Sequence, residues 1–243
     1  MIGLSLRRFV LTLLALLALA GCVSPVALTK MPSAPTVQNP APSAANADMV
    51  LAVVQDLEPV TERICLAQNP YRNCDFQMFV DDTPGSAANA YQTQDRRGRP
   101  LIAFTTAMLT TAENSDEFAF VLAHEASHHI LGHLDRTRRN AQIGAEIFGG
   151  LAGVAGTGIP DDIQAARELG AEVAARAYSK EFELEADRLA TRILMAAGYD
   201  PIRGAYFFSR LPDPGDRFLG SHPANRDRVA AVYQTIQDVQ SGR

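Results

Sequence analysis

His124-Glu125-Ala126-Ser127-His128 is the stretch from which the rest of this sequence is read. It lies within a segment that carries helix signals. Asn114 stands where an N-cap belongs, Glu117 follows three residues later, and the pattern runs to about Leu134. On a helix, residues four apart lie one turn above each other, so the two imidazoles point the same way and can share one metal ion. Glu125 is turned by about 100° from its neighbour, too far round to be a third ligand but placed to reach a water at the metal. The pattern H-E-x-x-H also occurs in unrelated proteins, so it needs support from elsewhere in the chain.

A catalytic zinc takes three protein ligands and keeps a fourth position open. The best source of the third is Glu181-Phe182-Glu183-Leu184-Glu185-Ala186-Asp187, on a later helical stretch. Of its three glutamates, Glu183 is the one followed four residues on by an acid, Asp187, on the same face. Such an Asp accepts the proton on the far nitrogen of a ligand histidine and fixes its tautomer. The expected set is therefore His124, His128 and Glu183, with Asp187 as companion and Glu185 as the second choice. His129 and His133 are also four apart, but Ile130 occupies the place of the base. On one continuous helix they face 100° or more away from the first pair, which makes them polar-surface or structural residues.

Towards the N-terminus, Arg7 and Arg8 precede the apolar run from Phe9 to Ala20, too short for a comfortable membrane span. Residues 1–21 are read as a lipoprotein signal peptide. The run ends in Leu19-Ala20-Gly21-Cys22, which resembles the lipobox of bacterial lipoproteins and implies lipidation at Cys22. Residue 23 is Val rather than Asp, which by resemblance to the sorting rule of Gram-negative lipoproteins favours the outer membrane. Residues 22–47, rich in Pro, Ala, Ser and Asn, read as a disordered tether. Cys65 and Cys74 then remain as an even pair, expected to form a disulfide in an exported protein. A zinc site at that pair is set aside, since no second Cys or His pair lies nearby.

The chain has 243 residues, 47% of them apolar, enough for one catalytic domain, taken as 48–243. A net charge of −5, the lack of tryptophan and the lack of a basic block argue against nucleic acid as a partner. Apolar periodicity gives a first helix from Asp48 to Ala67, kinked or broken at Pro59. Phe76–Val80 and Leu101–Phe104 read as strands of a small antiparallel sheet. The Gly- and Ala-rich segment from Ala141 to Ile159 reads as a helix and loop packed over the active-site helix, with contact to lipid as the other option. Further helices are expected over Asp162–Tyr178, over Lys180–Ala197 and from Pro223 onward. The fold class is α+β and mainly helical, with the sheet packed on the active-site helices.

From Asn89-Ala90 through Leu101-Ile102, the two histidines, Glu183 to Asp187 and Gly198-Tyr199-Asp200-Pro201, to His222-Pro223 and Arg228, the sequence resembles a known family. It is that of the gluzincin metallopeptidases, which includes HtpX, the CAAX prenyl endopeptidases and periplasmic proteases of the BepA and LoiP type. In size and layout it is most similar to the LoiP-like lipoproteins. The resemblance implies a zincin-like domain with one Zn2+ per chain, Glu183 as third ligand and the strand near Leu101 as the edge on which a peptide lies. It also implies that His222 binds the transition state or occupies zinc's open position at rest, and that Arg228 stabilises the oxyanion.

The expected function is a zinc-dependent endopeptidase, lipid-anchored on the periplasmic side of the outer membrane, that cleaves unfolded or misassembled envelope proteins. A different class of function is a zinc-stabilised chaperone or assembly factor for outer-membrane proteins, in contact with their assembly machinery, whose peptidase activity is latent. An exopeptidase would need a charged subsite for a chain terminus, and the sequence identifies none.

Overall fold

The computed structural model describes residues 42–155, 159–177, 179–213 and 223–243. The signal segment, Cys22, most of the tether and His222 lie outside them. Helix α1 spans Ala44–Gln68. Three strands follow, β1 (Gln77–Asp81), β2 (Ala90–Gln94) and β3 (Pro100–Thr105), then a short helix α2 (Thr106–Thr111). The remaining helices are α3 (Ser115–Ile130), α4 (His133–Val154), α5 (Pro160–Ala177), α6 (Ser179–Ala197), α7 (Pro201–Arg210) and α8 (Asn225–Gln240). The α+β, mainly helical class expected from the sequence is what the chain adopts.

The central element is α3. Its Phe118, Ala119, Phe120, Leu122, Ala123 and Ala126 are almost wholly buried, and apolar groups all round a helix place it in a core rather than on a surface. Helices α1, α6 and α7 and the sheet pack around it. Asn114 caps it, its side chain accepting from the Glu117 amide at 3.2 Å, while the Glu117 carboxylate reaches back to the Glu113 amide at 2.8 Å. Gly204 lets α7 approach closely, since a Cβ there would stand 2.8 Å from the Asp116 carbonyl oxygen and 2.9 Å from Phe120 Cβ.

Several details differ from the sequence expectations. The sheet is mixed rather than antiparallel: β3 lies in the middle, parallel to β1 and antiparallel to β2. Strand β2 escaped notice because Ala90-Tyr91-Gln92-Thr93-Gln94 lacks an apolar alternation, as an edge strand beside a cleft can. Helix α1 begins within the stretch read as tether, capped by Ser43. It runs unbroken through Pro59, which lies on the exposed face of the helix.

The helix carrying the histidines ends earlier than expected. The chain turns at Leu131-Gly132, with Gly132 at φ 68°, before α4 starts at His133. The Gly-rich segment as far as Val154 belongs to α4 and packs chiefly on α5 rather than over α3, while residues 156–158 lie outside the described residues. Gly144 faces Gly170, and a Cβ on it would lie 2.6 Å from Ala174 Cβ, so the helices meet backbone to backbone. The outer face of α4 leaves Ile143, Ile147, Leu151 and Val154 exposed. No helix among the described residues is long and apolar enough to cross a membrane.

Candidate metal centre

His124 and His128 project from successive turns of α3, and Glu183 faces them from α6. The Nε2 atoms of the two histidines are 3.0 Å apart, and each lies 3.3 Å from a carboxylate oxygen of Glu183. Two imidazole nitrogens turned on each other and on a carboxylate need a cation or a proton between them. Donors bonded to one zinc at about 2.0–2.1 Å in a tetrahedron stand roughly 3.3 Å apart, so the separations and the donor types fit that ion. Among the described residues this is the one cluster of three or more His, Cys, Asp or Glu groups able to hold a metal.

The electrostatics also favour positive charge here. Burial and the nearby Arg228 cation press the His124 imidazole towards neutrality, but hydrogen bonds to Asp187 and Glu183 outweigh them and bring its pKa to about 10. Asp187 is fully buried and lies 2.9 Å from His124 Nδ1. Arg228, from α8, donates to both Asp187 oxygens, at 2.8 Å from Nε and 2.6 Å from Nη2. Burial would raise the Asp187 carboxyl, yet this guanidinium holds it below the ordinary carboxylate range. Arg228 Nη2 and His124 Nδ1 are 3.2 Å apart, two donors that share Asp187 Oδ1 as acceptor. The guanidinium thus sits on the Nδ1 side of His124, opposite the nitrogen that faces Glu183, and lies 3.6 Å over the Phe208 ring.

His124, His128, Glu183 and Arg228 line a cleft of about 530 Å³, which Glu125 also borders. One wall is Ala88 to Gln92, the approach to β2 and the first half of that strand, which lies at the sheet's edge. The strand near Leu101 is therefore not the edge. As β3 it is bonded on both sides, and the free edge beside the site belongs to β2. Phe182, Phe207 and Phe208 supply apolar wall. Pro223, the residue after His222 in sequence, lines the cleft as well.

The two histidines set aside on sequence grounds have distinct places. His129 is buried, and its Nε2 donates to the Asn73 carbonyl at 2.7 Å while Nδ1 accepts from the Gln94 amide at 3.2 Å. It is a structural tie between α3, β2 and the loop closed by the Cys65–Cys74 disulfide. His133, in contrast, reaches the metal centre. Its Nδ1 lies 2.9 Å from His128 Nδ1 and its Nε2 3.1 Å from Glu185 Oε2, and Arg136 pairs with the same carboxylate. Burial, then the adjacent His128, lower the His133 pKa to about 4. Glu185 serves this chain of contacts instead of facing the His124 and His128 nitrogens. The helical rotation used for His133 failed because the helix stops at Gly132, a signal that a glycine after a periodic stretch does provide.

The model of peptidase family M48 matches residues 54–236, a span that takes in all three converging side chains. Among curated proteins no relative matches the chain.

Proposed function

The chain belongs to peptidase family M48 and is a metallopeptidase, and on that premise we propose that it is a zinc-dependent endopeptidase. The observation that carries the reading is the convergence of His124, His128 and Glu183 at one point of a cleft bordered by Glu125 and a free strand edge.

Zinc bound there supplies Lewis acidity, polarising a scissile carbonyl and lowering the pKa of water. The protein's own groups do the rest. Glu125 takes the proton of the attacking water and delivers it to the leaving amine. Asp187 keeps the His124 proton on Nδ1 so that Nε2 presents its lone pair, and Arg228 keeps Asp187 ionised. From behind the His124 ring, Arg228 also adds positive potential felt by the developing oxyanion. By resemblance to the family, His222, which precedes the cleft-lining Pro223 in sequence, acts on that oxyanion or occupies zinc's open position at rest.

A substrate bound as an extended strand pairs with β2 through backbone hydrogen bonds, which give affinity with little demand on sequence. Folded proteins rarely offer such a strand, so unfolded or misassembled chains are the preferred substrates. The Leu19 to Cys22 sequence supports anchoring by lipid at Cys22, and Val23 after it supports the periplasmic face of the outer membrane and hence a quality-control role.

Cleavage of an end-blocked peptide labelled on both sides of an internal bond tests the proposal. The wild type should cut it, and Glu125→Gln should lose about 10²–10⁴-fold in rate while keeping its zinc. Full cleavage by Glu125→Gln would contradict the assigned base. Restoration of the biological function by an inactive, zinc-loaded Glu125→Gln would favour the chaperone reading. Metabolic labelling with palmitate, lost in Cys22→Ala, tests the anchor.

A further inference from the structure

Each ligand histidine in this reading has a second nitrogen, and the two are held differently. His124 gives its Nδ1 proton directly to Asp187, which Arg228 anchors. Among the described residues, no carboxylate meets His128 Nδ1. That nitrogen has His133, at 2.9 Å.

The direction of every link from His128 outward follows from one requirement. His128 Nε2 faces His124 Nε2 and Glu183, so to bind a metal it must present a lone pair. A neutral imidazole carries one N–H, which is then on Nδ1. The His133 atom that it meets is Nδ1, at 2.9 Å, which must accept. The His133 proton is thereby on Nε2, 3.1 Å from Glu185 Oε2, an acceptor. Arg136 donates to both oxygens of that carboxylate.

Nothing in the chain conflicts, and no proton is counted twice. The His133 ring is also immobilised: it is 3% exposed and stacks on Phe182 with centroids 4.6 Å apart and planes 7° from parallel. Gly132 makes the placement feasible, because its left-handed turn starts a new helix and swings residue 133 back towards His128.

We propose that His133 is a positioning residue of the metal centre, relaying the hold of Glu185 and Arg136 to His128 and fixing the His128 tautomer that binds metal. This rests on the reading of His124, His128 and Glu183 as ligands. The site then follows one plan twice, ligand histidine to carboxylate to arginine, with an imidazole inserted on the His128 branch. Both carboxylates, Glu185 and Asp187, come from α6, the helix that supplies Glu183.

The test measures zinc affinity of the purified full chain by competition with a chromogenic chelator. His133→Leu removes the acceptor and should weaken zinc binding by about 10–100-fold. His133→Gln offers an amide oxygen to His128 and an amide N–H to Glu185, and should restore affinity to within a few-fold of wild type. Thermal midpoints of the zinc-free proteins show whether each variant is folded.

Should His133→Leu not fold, Glu185→Ala changes a partly exposed side chain and should weaken zinc binding in the same direction. In zinc-loaded wild type with labelled histidines, long-range nitrogen-proton spectra should place the His128 proton on Nδ1 and the His133 proton on Nε2. A His133 proton on Nδ1 overturns the relay. So does wild-type zinc affinity in folded His133→Leu or in Glu185→Ala, or a His133→Gln as weak as His133→Leu. A wild type that binds no zinc overturns the ligand reading itself, a result distinct from all of these.

Discussion

His124 and Asp187 meet at 2.9 Å across the interface of α3 and α6, with the Asp187 carboxylate wholly buried and held on both oxygens by Arg228. A buried carboxylate is tolerated only when paired, and here the pairing also orients a metal-binding ring. Asp187→Asn keeps the shape but weakens the hold on the His124 tautomer. Zinc affinity should fall by about 10–100-fold. Asp187→Ala strands the buried Arg228 charge and should also cost about 3–5 kcal/mol of stability, read by urea unfolding. A stability unchanged in Asp187→Ala would mean that the pair is not buried as described.

The loop closed by Cys65 and Cys74 reaches the far end of the same helix. Arg72 donates to the His129 carbonyl at 2.9 Å, and Asn73 accepts from the His129 ring at 2.7 Å. Opening a loop of this length removes about 2.7 kcal/mol on the chain-entropy estimate. Reduction, or the double substitution of both cysteines by Ser, should therefore lower the thermal midpoint by roughly 5–10 °C. An unchanged midpoint under reducing conditions would count against the bond.

How far the sequence alone carries depends on locality. The three converging side chains and Asp187 were legible because helix periodicity fixes which residues share a face. Strand β2 was not, since its residues carry no apolar alternation even though it pairs with β3 across the short turn at 95–99, and the parallel pairing of β1 with β3 joins partners distant in sequence. His133 was misplaced by one assumption, that α3 continues past Gly132. The roles of Arg136 and Glu185 follow only from the tertiary position that this turn creates. Pro59 shows the reverse case. Its helix-breaking tendency is real, but on the exposed face of α1 the helix continues through it.

The α4 and α5 pair distinguishes two kinds of glycine. A Cβ on Gly144 would run into the Gly170 carbonyl oxygen and lie 2.6 Å from Ala174 Cβ, whereas one on Gly150 would meet nothing within 4 Å. Gly144→Ala should destabilise the protein by about 1–3 kcal/mol through overpacking. Gly150→Ala should stabilise it by up to about 1 kcal/mol through helix propensity. Denaturant unfolding of the two variants should move in opposite directions, and a shift in the same direction would refute the close approach.

Glu117 is one source of the acid dependence. Burial alone would raise its carboxyl, but the Arg210 guanidinium and the Glu113 amide hold it below the ordinary value. A folded pKa below the unfolded one gives stability that is fully present above the unfolded value, near 4.3, and lost as pH falls through the folded one. Glu117→Gln should lower stability at pH 7 by about 1–3 kcal/mol. It should also flatten the loss between neutral pH and pH 3, measured by urea unfolding across that range. An acid profile as steep as that of the wild type would show that another group is responsible.

Everything proposed for catalysis depends on Glu183 joining the two histidines around one ion. The direct measurement is zinc content and affinity of the full chain and of Glu183→Gln, by metal analysis and chelator competition. One zinc per wild-type chain and a loss of about a hundredfold or more in affinity for Glu183→Gln are the expected results. Zinc held by Glu183→Gln at full occupancy and wild-type affinity would contradict the three-ligand site.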